Sequence, residues 1–386
     1  MSGPLAGVRV VELAHIMAGP VCGLMLADMG ADVIKVEKPE GDDSRRFVPP
    51  EIGGESAAFM MMNRNKRGIV LDLKDDEDRA AFLNLIRDAD ILIENHRKGT
   101  MEKLGLGAEV LASANSALIH VEISGFGRTG PYADRGGFDL IAQAMSGLMS
   151  ITGEGEGRAP VKSGAPISDI TAGILAAMGA LAAYTYRLKT GKGQRVDTSL
   201  FEAGIVQTYW QSAIALATGT APGPMGSAHP LNAPYQAFAT ADGWICVGAA
   251  NQRNWERLLV LLEVPELAED PRFATNRDRM ENRVELEAAL TAILTLKDTA
   301  TWLAAMERGG VPAGPVLDIR QMHADPQTRA RDMVVALDHP TAGRVETLGL
   351  PVKFSRTPGS IRCPAPRLGE HAAATFEAGD GNTNGN

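Results

Sequence analysis

Apolar residues along this chain are grouped into short continuous runs that are separated by segments with helical periodicity. The run "VRVVEL", Val8 to Leu13, precedes a helical segment extending through "GLMLADMGA", and "DVIKVE", Asp32 to Glu37, follows as a second strand. The same order recurs in "GIVLDL", "DDEDRAAFLNLIRDA", "DILIEN" and "ALIHVEISGF". Such alternation predicts an α/β domain built on a largely parallel sheet that helices cover.

The pattern changes in the second half of the chain. A long alanine-rich helix follows Asp169, and "QRVDTSLFEAGI" then supplies a strand and the start of another helix. Glycine and proline accumulate in "TGTAPGPMGSAHPLNAP", after which paired strands and helical segments indicate a smaller α+β domain. The predicted organisation is a Rossmann-like large domain at 1–217, a linker at 218–234, a small α+β domain at 235–325, a return to the large domain at 326–375 and a disordered tail at 376–386.

Composition narrows the class of protein. A chain of 386 residues, 45% hydrophobic and 22% charged, is long enough for about two folded domains. The net charge of −9 provides no general attraction for nucleic acid or an anionic membrane. An anionic ligand must therefore be held by a local basic cluster.

The three cysteines, Cys22, Cys246 and Cys363, lie far apart and form no CxxC pair. This usage fits a reducing cytosol and predicts no structural metal site. The N-terminus lacks the pattern of a signal peptide, and we expect no apolar run to reach the ~18 residues of a membrane span. The sequence thus predicts a soluble, cytoplasmic protein.

The first βα turn, "ELAHIMAGPVCG", raises the possibility of dinucleotide binding, because Glu37 closes the second strand where a ribose-binding carboxylate would lie. The glycines Gly19 and Gly23 do not form the GxGxxG fingerprint, which disfavours an NAD-dependent oxidoreductase. Lys38 and the "ENHRKG" segment could meet at one anionic ligand, or could be solvated surface charge. The glycine-rich stretch Ser124 to Asp139 is either a ligand clamp or a surface excursion.

Asp169, in "KSGAPISDITAGI", stands before the long apolar helix. An aspartate there is most simply an N-cap. It could also be a nucleophile, because a helix N-terminus favours the ionised carboxylate and small residues before it leave room for a substrate. The seven histidines form no recognisable catalytic pattern, and only His15 is a site candidate by its position.

Ten motifs in order along the chain resemble the class III CoA-transferase family, which includes formyl-CoA and carnitine CoA-transferases. They are "LAGVRVVELAHIMAGP", "GADVIKVEKPEGDD", "NRNKRGIVLDLK", "ENHRKG", "GFGRTGPYADRGGFDLIAQAMSGLMSITG", "GAPISDITAGI", "TGKGQRVDTSL", "PRFATNRDR", "GVPAGPV" and "LGEH". The resemblance covers Leu5 to about His371. It implies an interlocked homodimer with a CoA-binding large domain, and coenzyme A as a substrate rather than a permanent cofactor.

The resemblance implies that Asp169 is the covalent nucleophile, forming aspartyl anhydride and aspartyl-CoA thioester intermediates. The implied CoA-binding residues are His15, Met17, Ala18, Lys38, Leu71, Asp72, Leu73, Lys74, Asn95, His96, Arg97, Lys103, Gly137, Phe138 and Asp139. Asp139 is also implied at the reaction centre. Gly248, Ala249 and Ala250 of "GAAN" align with a glycine loop that covers the site in formyl-CoA transferases, and the two alanines argue against oxalate-type specificity.

The family also contains 2-methylacyl-CoA racemases, which need a histidine base where this chain has Phe138. A phenyl ring cannot transfer a proton, so racemisation is the weaker alternative. The stretches "GSAHPLNAPYQAF" and "SITG" are most similar to succinate–hydroxymethylglutarate CoA-transferases, which implies a succinyl-CoA-like donor and a dicarboxylate acceptor. His229, with Arg46 or Arg64, is a candidate for binding the distal carboxylate.

Overall fold

The computed structural model describes residues 3–371, so the predicted tail at 376–386 lies outside the described residues. The described chain forms two compact units. The first comprises residues 3–148, 162–207 and 325–371, and the second comprises 149–161 and 208–324.

The strands of the described residues are β1 (Arg9–Leu13), β2 (Asp32–Glu37), β3 (Glu51–Ile52), β4 (Glu55–Ser56), β5 (Lys66–Val70), β6 (Ile91–Glu94), β7 (Ile119–Ser124), β8 (Gln194–Ser199), β9 (Tyr235–Ala239), β10 (Trp244–Gly248), β11 (Ala313–Pro315), β12 (Val334–His339) and β13 (Gly343–Leu348). The α-helices are α1 (Ala18–Asp28), α2 (Ala57–Asn63), α3 (Asp76–Asp88), α4 (Thr100–Lys103), α5 (Ala108–Ala114), α6 (Asp139–Met145), α7 (Leu148–Ile151), α8 (Ile167–Thr190), α9 (Leu200–Val206), α10 (Tyr209–Thr218), α11 (Gln252–Leu262), α12 (Pro265–Glu269), α13 (Asn276–Glu281), α14 (Arg283–Leu294), α15 (Thr299–Gly309), α16 (Ile319–Ala324) and α17 (Pro326–Ala330). Short 3₁₀ helices span Asp43–Arg46 and Pro271–Phe273.

The first unit is built on a six-stranded sheet in the order β5-β2-β1-β6-β7-β8, and all of its neighbouring strands are parallel. The chain runs from β1 to one edge through β2 and β5, and then returns to β6 and runs to the other edge. This is the Rossmann strand order, and the predicted parallel α/β sheet is confirmed. The order reverses between β1 and β6, where open sheets of this kind bind ligands at the carboxyl ends of the strands.

Helices α1 and α8 pack together on one face of this sheet, with Val10, Ile93 and Val121 in a shared core with Ala176 and Ala180 of α8. The 24-residue helix α8 contains an 18-residue window with a mean hydropathy of 1.5, which is long and apolar enough for a membrane span by length and composition. The expectation that no apolar run would be this long is therefore wrong. Two glycines and a threonine interrupt the run, but the mean hydropathy of the window stays in the range of a membrane span. In the fold, α8 is the helix that connects β7 to β8.

The second unit contains an antiparallel sheet in the order β11-β10-β9. Its core is formed by Phe238, Trp255 and Trp302 together with leucines of α11 and α14. Residues 149–161 and 208–217 belong to this unit, whereas the sequence assigned both to the large domain. The glycine- and proline-rich segment predicts the boundary at 218–234, but the break follows Gln207, in a connection between two helices that has no glycine or proline.

Candidate active site

The loops that follow β1 and β6 are tied together at the point where the strand order reverses. The backbone N–H of His15 donates to Asn95 Oδ1 at 3.0 Å, and Asn95 Nδ2 donates to the His15 carbonyl at 2.8 Å. Two residues that are eighty positions apart, both candidates from the sequence, are thus fixed side by side. The site at this edge of the sheet is preformed by the backbone.

Asp169 lies in a small cavity beside these loops. The cavity has a volume of about 100 Å³ and is lined by His15, Ile16, Met17, Ala18, Asn95, Ile123, Ser124, Gly125, Gly137, Phe138, Asp169 and Leu200. Seven of the residues implied by the family resemblance are therefore brought together. Ser124 and Gly125 begin the glycine-rich stretch that was a candidate ligand clamp, whereas Leu200, the first residue of α9, was not anticipated because nothing in its sequence context marks a site.

Asp169 does not cap its own helix. It is the third residue of α8, and the N-cap residue is Pro166, which offers no side-chain acceptor. The cap comes from Asp139 at the start of α6, whose Oδ1 accepts the backbone N–H of Ser168 at 2.9 Å and that of Asp169 at 3.4 Å. Asp139 is held in turn by Gln143 Nε2, which donates to its Oδ2 at 2.7 Å. The carboxylate of Asp169 is left free for chemistry.

The pKa of Asp169 is raised to about 7 by burial and by the negative charge of Asp139. This corrects the expectation of a permanent anion at the helix start, because desolvation and the second carboxylate outweigh the helix dipole here. A carboxylate with such a pKa is a stronger nucleophile than an exposed one, and it is ionised in only part of the molecules at neutral pH.

We expect Asp139→Asn to shift the acid limb of the kcat/KM profile to lower pH. The wild-type midpoint should lie near 7, and removing the Asp139 charge leaves burial as the main cause of the raised pKa of Asp169. The asparagine carbonyl can still accept the N–H of Ser168, so the helix cap is retained. The measurement is kcat/KM between about pH 5 and 9. An unchanged midpoint would show that Asp139 does not act on the titrating group.

The start of α1 also lies at this cavity, through Met17 and Ala18. The N-cap residue Met17 makes no side-chain capping bond, so the first N–H groups of α1 have no side-chain acceptor. A helix N-terminus of this kind stabilises negative charge. The cavity therefore combines a nucleophilic carboxylate with backbone donors that can stabilise an oxyanion.

A second cavity, of about 150 Å³, lies next to the first and shares His15 with it. Its lining includes the implied CoA-binding residues Lys38, Leu71, Asp72, Leu73, Lys74 and His96. The rings of His15 and His96 meet edge to face at 5.7 Å between centroids. Burial lowers the pKa of both, to about 4 for His96, so both rings are neutral near pH 7. The two cavities can hold one extended ligand that passes His15.

Other implied CoA-binding residues lie at the margins of this region. Arg97 lines a separate cavity of about 420 Å³, and its guanidinium lies where a side chain at Gly136 would be, so that a Cβ there would be 2.8 Å from Nη2. Lys38 forms an exposed ion pair with Asp43 at 3.1 Å. Lys103 is exposed at the end of α4.

The implied substrate residues His229, Gly248, Ala249 and Ala250 all belong to the second unit. His229 contacts Tyr235 edge to face at 5.2 Å, and its Nδ1 accepts the backbone N–H of Leu231. Ala249 is fully buried and belongs to the hydrophobic core of this unit.

The two arginines proposed to assist His229 have other roles. Arg64 is buried in the first unit, where it pairs with Asp28 at 2.6 Å and donates to Thr347. It is therefore not available to a substrate carboxylate. Arg46 is exposed and pairs with Asp43. Nothing in the pattern of charges along the sequence distinguishes these two arginines, because burial is decided by the tertiary fold.

A buried charge network beneath the first loop was not predicted. Lys35 Nζ lies 3.0 Å from Glu12 and 2.8 Å from Asp42, and Lys66 Nζ lies 2.8 Å from Glu12. Asp42 Oδ1 accepts the N–H of Ile16, which has a left-handed φ of 65° that is strained for a β-branched residue. The network therefore fixes the loop that carries His15 and Met17. Its signal in the sequence is an ionisable residue inside each apolar strand run.

A second buried cluster anchors the glycine-rich stretch between β7 and α6. Arg128 of this stretch pairs with Glu94, and its Nε lies 3.1 Å from Glu122 Oε1. Burial raises the pKa of Glu94 to about 7 and lowers that of His120 to about 4. Glu94, His120 and Glu122 are close enough to share a metal ion, but Arg128 and Arg195 already pair with the two carboxylates. The cluster therefore holds a loop, and a cation would have to displace two arginines.

The chain is similar to several known CoA-transferases. A succinate–glutarate CoA-transferase from Agrobacterium fabrum (strain C58) is 41% identical over 96% of this chain and 94% of that protein. An acetyl-CoA:oxalate CoA-transferase from Acetobacter aceti is 40% identical over 96% of this chain and 95% of that protein. A mouse succinyl-CoA:glutarate CoA-transferase is 36% identical over 95% of this chain and 84% of that protein.

Among solved structures, a CAIB/BAIF family protein from Brucella suis superimposes with a TM-score of 0.85 and 40% identity, covering 97% of this chain and 98% of that one. A family model described as CoA-transferase family III matches residues 5–372, nearly the entire chain. The chain therefore belongs to CoA-transferase family III, as the ordered motifs of its sequence predicted.

Proposed function

We propose that this enzyme transfers coenzyme A from a succinyl-CoA-like donor to a dicarboxylic acid, with Asp169 as the covalent nucleophile. The observation that carries the proposal is the cavity that holds the partly buried Asp169 carboxylate beside the start of α1, whose first N–H groups have no side-chain cap. The adjoining cavity is lined by Lys38 and Lys74, whose ammonium groups are suited to pair with the phosphates of CoA. Coenzyme A is a substrate in this scheme, and the enzyme acts in the cytoplasm without a permanent cofactor.

In the first half-reaction an Asp169 oxygen attacks the thioester carbonyl of the donor. The C–S bond breaks, giving a mixed anhydride on Asp169 and a CoA thiolate. The thiolate then attacks the Asp169 carbonyl, which releases the donor as its carboxylate and leaves an aspartyl-CoA thioester. The free energy of the thioester is retained, because each bond that breaks is replaced by another activated acyl bond.

The second half-reaction reverses these steps with the acceptor. A carboxylate oxygen of the acceptor attacks the Asp169 carbonyl, expels the CoA thiolate and forms a second anhydride. The thiolate attacks the acceptor's acyl carbon, and the Asp169 carboxylate is released unchanged. Each attack places negative charge on a carbonyl oxygen, which the uncapped N–H groups at Ala18 and Gly19 are suited to stabilise. Water must be excluded from the anhydrides, and the small volume of the cavity favours this.

The identity of the acceptor rests on the relatives, of which two are named for glutarate and one for oxalate. All of these acids are dicarboxylates. The test is to incubate the purified protein with succinyl-CoA and a panel of mono- and dicarboxylic acids, including oxalate, and to identify new acyl-CoA species by mass spectrometry. Transfer to a dicarboxylate is expected. Transfer restricted to monocarboxylates would refute the proposed acceptor class.

The alternative of racemisation is tested with the same protein. Phe138 is 66% exposed at the cavity beside Asp169 and offers no proton-transferring group. We therefore expect no exchange of the α-proton of a 2-methylacyl-CoA with deuterated water. Exchange at a rate comparable to CoA transfer would favour the racemase.

We also propose that the enzyme is a homodimer. The first unit exposes large apolar side chains, among them Phe138 at 66%, Met178 at 61% and Leu188 at 70%. Met178 and Leu188 both lie on α8, and exposed apolar side chains on one helix are suited to contact a second subunit. Light scattering after size exclusion should give twice the chain mass of 40.9 kDa. The mass of a single chain at micromolar concentration would contradict this expectation.

A further inference from the structure

Helix α1 packs directly against helix α8 at Gly173, close to the candidate site. A Cβ atom placed on Gly173 would lie 2.6 Å from the carbonyl oxygen of Ala18 and 2.8 Å from both Cβ and Cγ1 of Val21. Carbon atoms pack best at about 3.5–4.0 Å, so no side chain fits while the two helices keep their present separation. One of the obstructing atoms belongs to the backbone, and it cannot rotate away.

This contact lies directly beneath the reactive groups. Gly173 follows Asp169 by four residues, and positions four apart share one face of an α-helix. Ala18 is the first residue of α1 and lines the same cavity as Asp169. Because α1 and α8 follow parallel strands on one face of the sheet, both helices begin at the same edge. The spacing at Gly173 therefore sets the distance between the start of α1 and the Asp169 carboxylate.

We infer that Gly173 is a positioning residue, which holds the N–H groups at the start of α1 within reach of the oxyanion that forms when Asp169 is acylated. This inference rests on the proposed function. It assigns a role to a residue that contacts neither substrate nor reacting atoms. Alanine at position 173 would move the α1 start away from Asp169 and leave the chemistry of the carboxylate itself unaltered.

The expected effect is on the rate of the covalent step and not on donor binding. Misplacing a catalytic group by about 1 Å can reduce a rate on the order of 100-fold. We expect Gly173→Ala to slow single-turnover formation of the aspartyl-CoA thioester by about 10- to 100-fold. The dissociation constant of the donor should stay within about threefold, because Lys38, Leu71 and Lys74 line the other cavity.

Gly179 provides a matched control on the same helix. A Cβ atom there would meet only Cγ1 of Val196, at 2.7 Å, which is a side-chain atom of β8 and belongs to neither α1 nor the cavity that holds Asp169. Both glycine-to-alanine changes add the same helix propensity, about 1 kcal/mol. Gly179→Ala should therefore keep the wild-type rate of thioester formation, which separates a local displacement at Gly173 from a general stiffening of α8.

The experiment measures thioester formation by rapid quench and mass spectrometry, donor affinity by calorimetry and melting temperature, for wild type and both variants. A Gly173→Ala rate within threefold of wild type, or an equal loss in Gly179→Ala, would overturn the inference. If Gly173→Ala folds poorly, the double variant Gly173→Ala with Val21→Ala keeps the test, since the Ala18 carbonyl still obstructs and the slow rate should persist. Absence of thioester in the wild type would refute the proposed function instead.

Discussion

Replacing Asp169 by asparagine is expected to lower kcat for CoA transfer by at least about 1,000-fold, the scale seen when a covalent nucleophile is removed. The amide has nearly the same shape, so the cavity and the fold should be preserved, but it cannot attack a thioester. Neither anhydride can form. Binding of the donor should remain measurable by calorimetry, since the residues lining the second cavity are unchanged.

A matched control is Asp338→Asn in β12, an exposed aspartate in the hairpin formed with β13. This variant removes one negative charge from the first unit, at a residue that lines neither the Asp169 cavity nor the adjoining one. It should retain the wild-type kcat. Retention of more than a tenth of the activity in Asp169→Asn would place the nucleophile elsewhere.

Lys35→Met is expected to reduce the free energy of unfolding of the first unit by about 3–5 kcal/mol, because it leaves the buried Asp42 carboxylate without its cation and Glu12 with Lys66 alone. Lys35 is fully buried between Glu12 and Asp42, and it also donates to the Ala14 carbonyl at 2.8 Å. Burial by itself would lower the pKa of Lys35, but these carboxylates hold the pKa above its usual value. The network is therefore ionised in the folded protein.

The control is Lys38→Met, which makes the same change three residues later in an exposed pair with Asp43 and should cost less than about 1 kcal/mol. Unfolding should be followed by circular dichroism, because the tryptophans, Trp210, Trp244, Trp255 and Trp302, all belong to the second unit. Equal losses in the two variants would show that the buried network does not carry this stability.

The sheet of the first unit could be predicted because its strands are continuous apolar runs, and β2 was placed at the correct residues. The predicted strand bounds were wrong where a capping side chain ends a strand early. The expected strand "GIVLDL" is replaced by β5 (Lys66–Val70), since Asp75 caps α3 and draws the preceding residues into a turn. The connection at Gln207 and Thr208 contains no glycine or proline, so composition placed the boundary too late.

The residues of the candidate site were also predicted only in part. The family motifs identified Asp169 and most of its cavity, but propensity alone favoured a helix cap, a role that Asp139 fulfils instead. Asp42 and Gly173 were not anticipated, because their importance lies in contacts with Ile16 and Ala18, which are distant in sequence. A single sequence records which residues are present, and it does not record which backbone atoms they approach.

The most direct test of this account is mass spectrometry of the protein after incubation with succinyl-CoA and no acceptor. The account predicts a CoA adduct, lost on treatment with hydroxylamine, on the peptide that contains Asp169, and no such adduct in Asp169→Asn. An adduct on another residue, or CoA transfer by a wild-type enzyme that never carries CoA on Asp169, would contradict it.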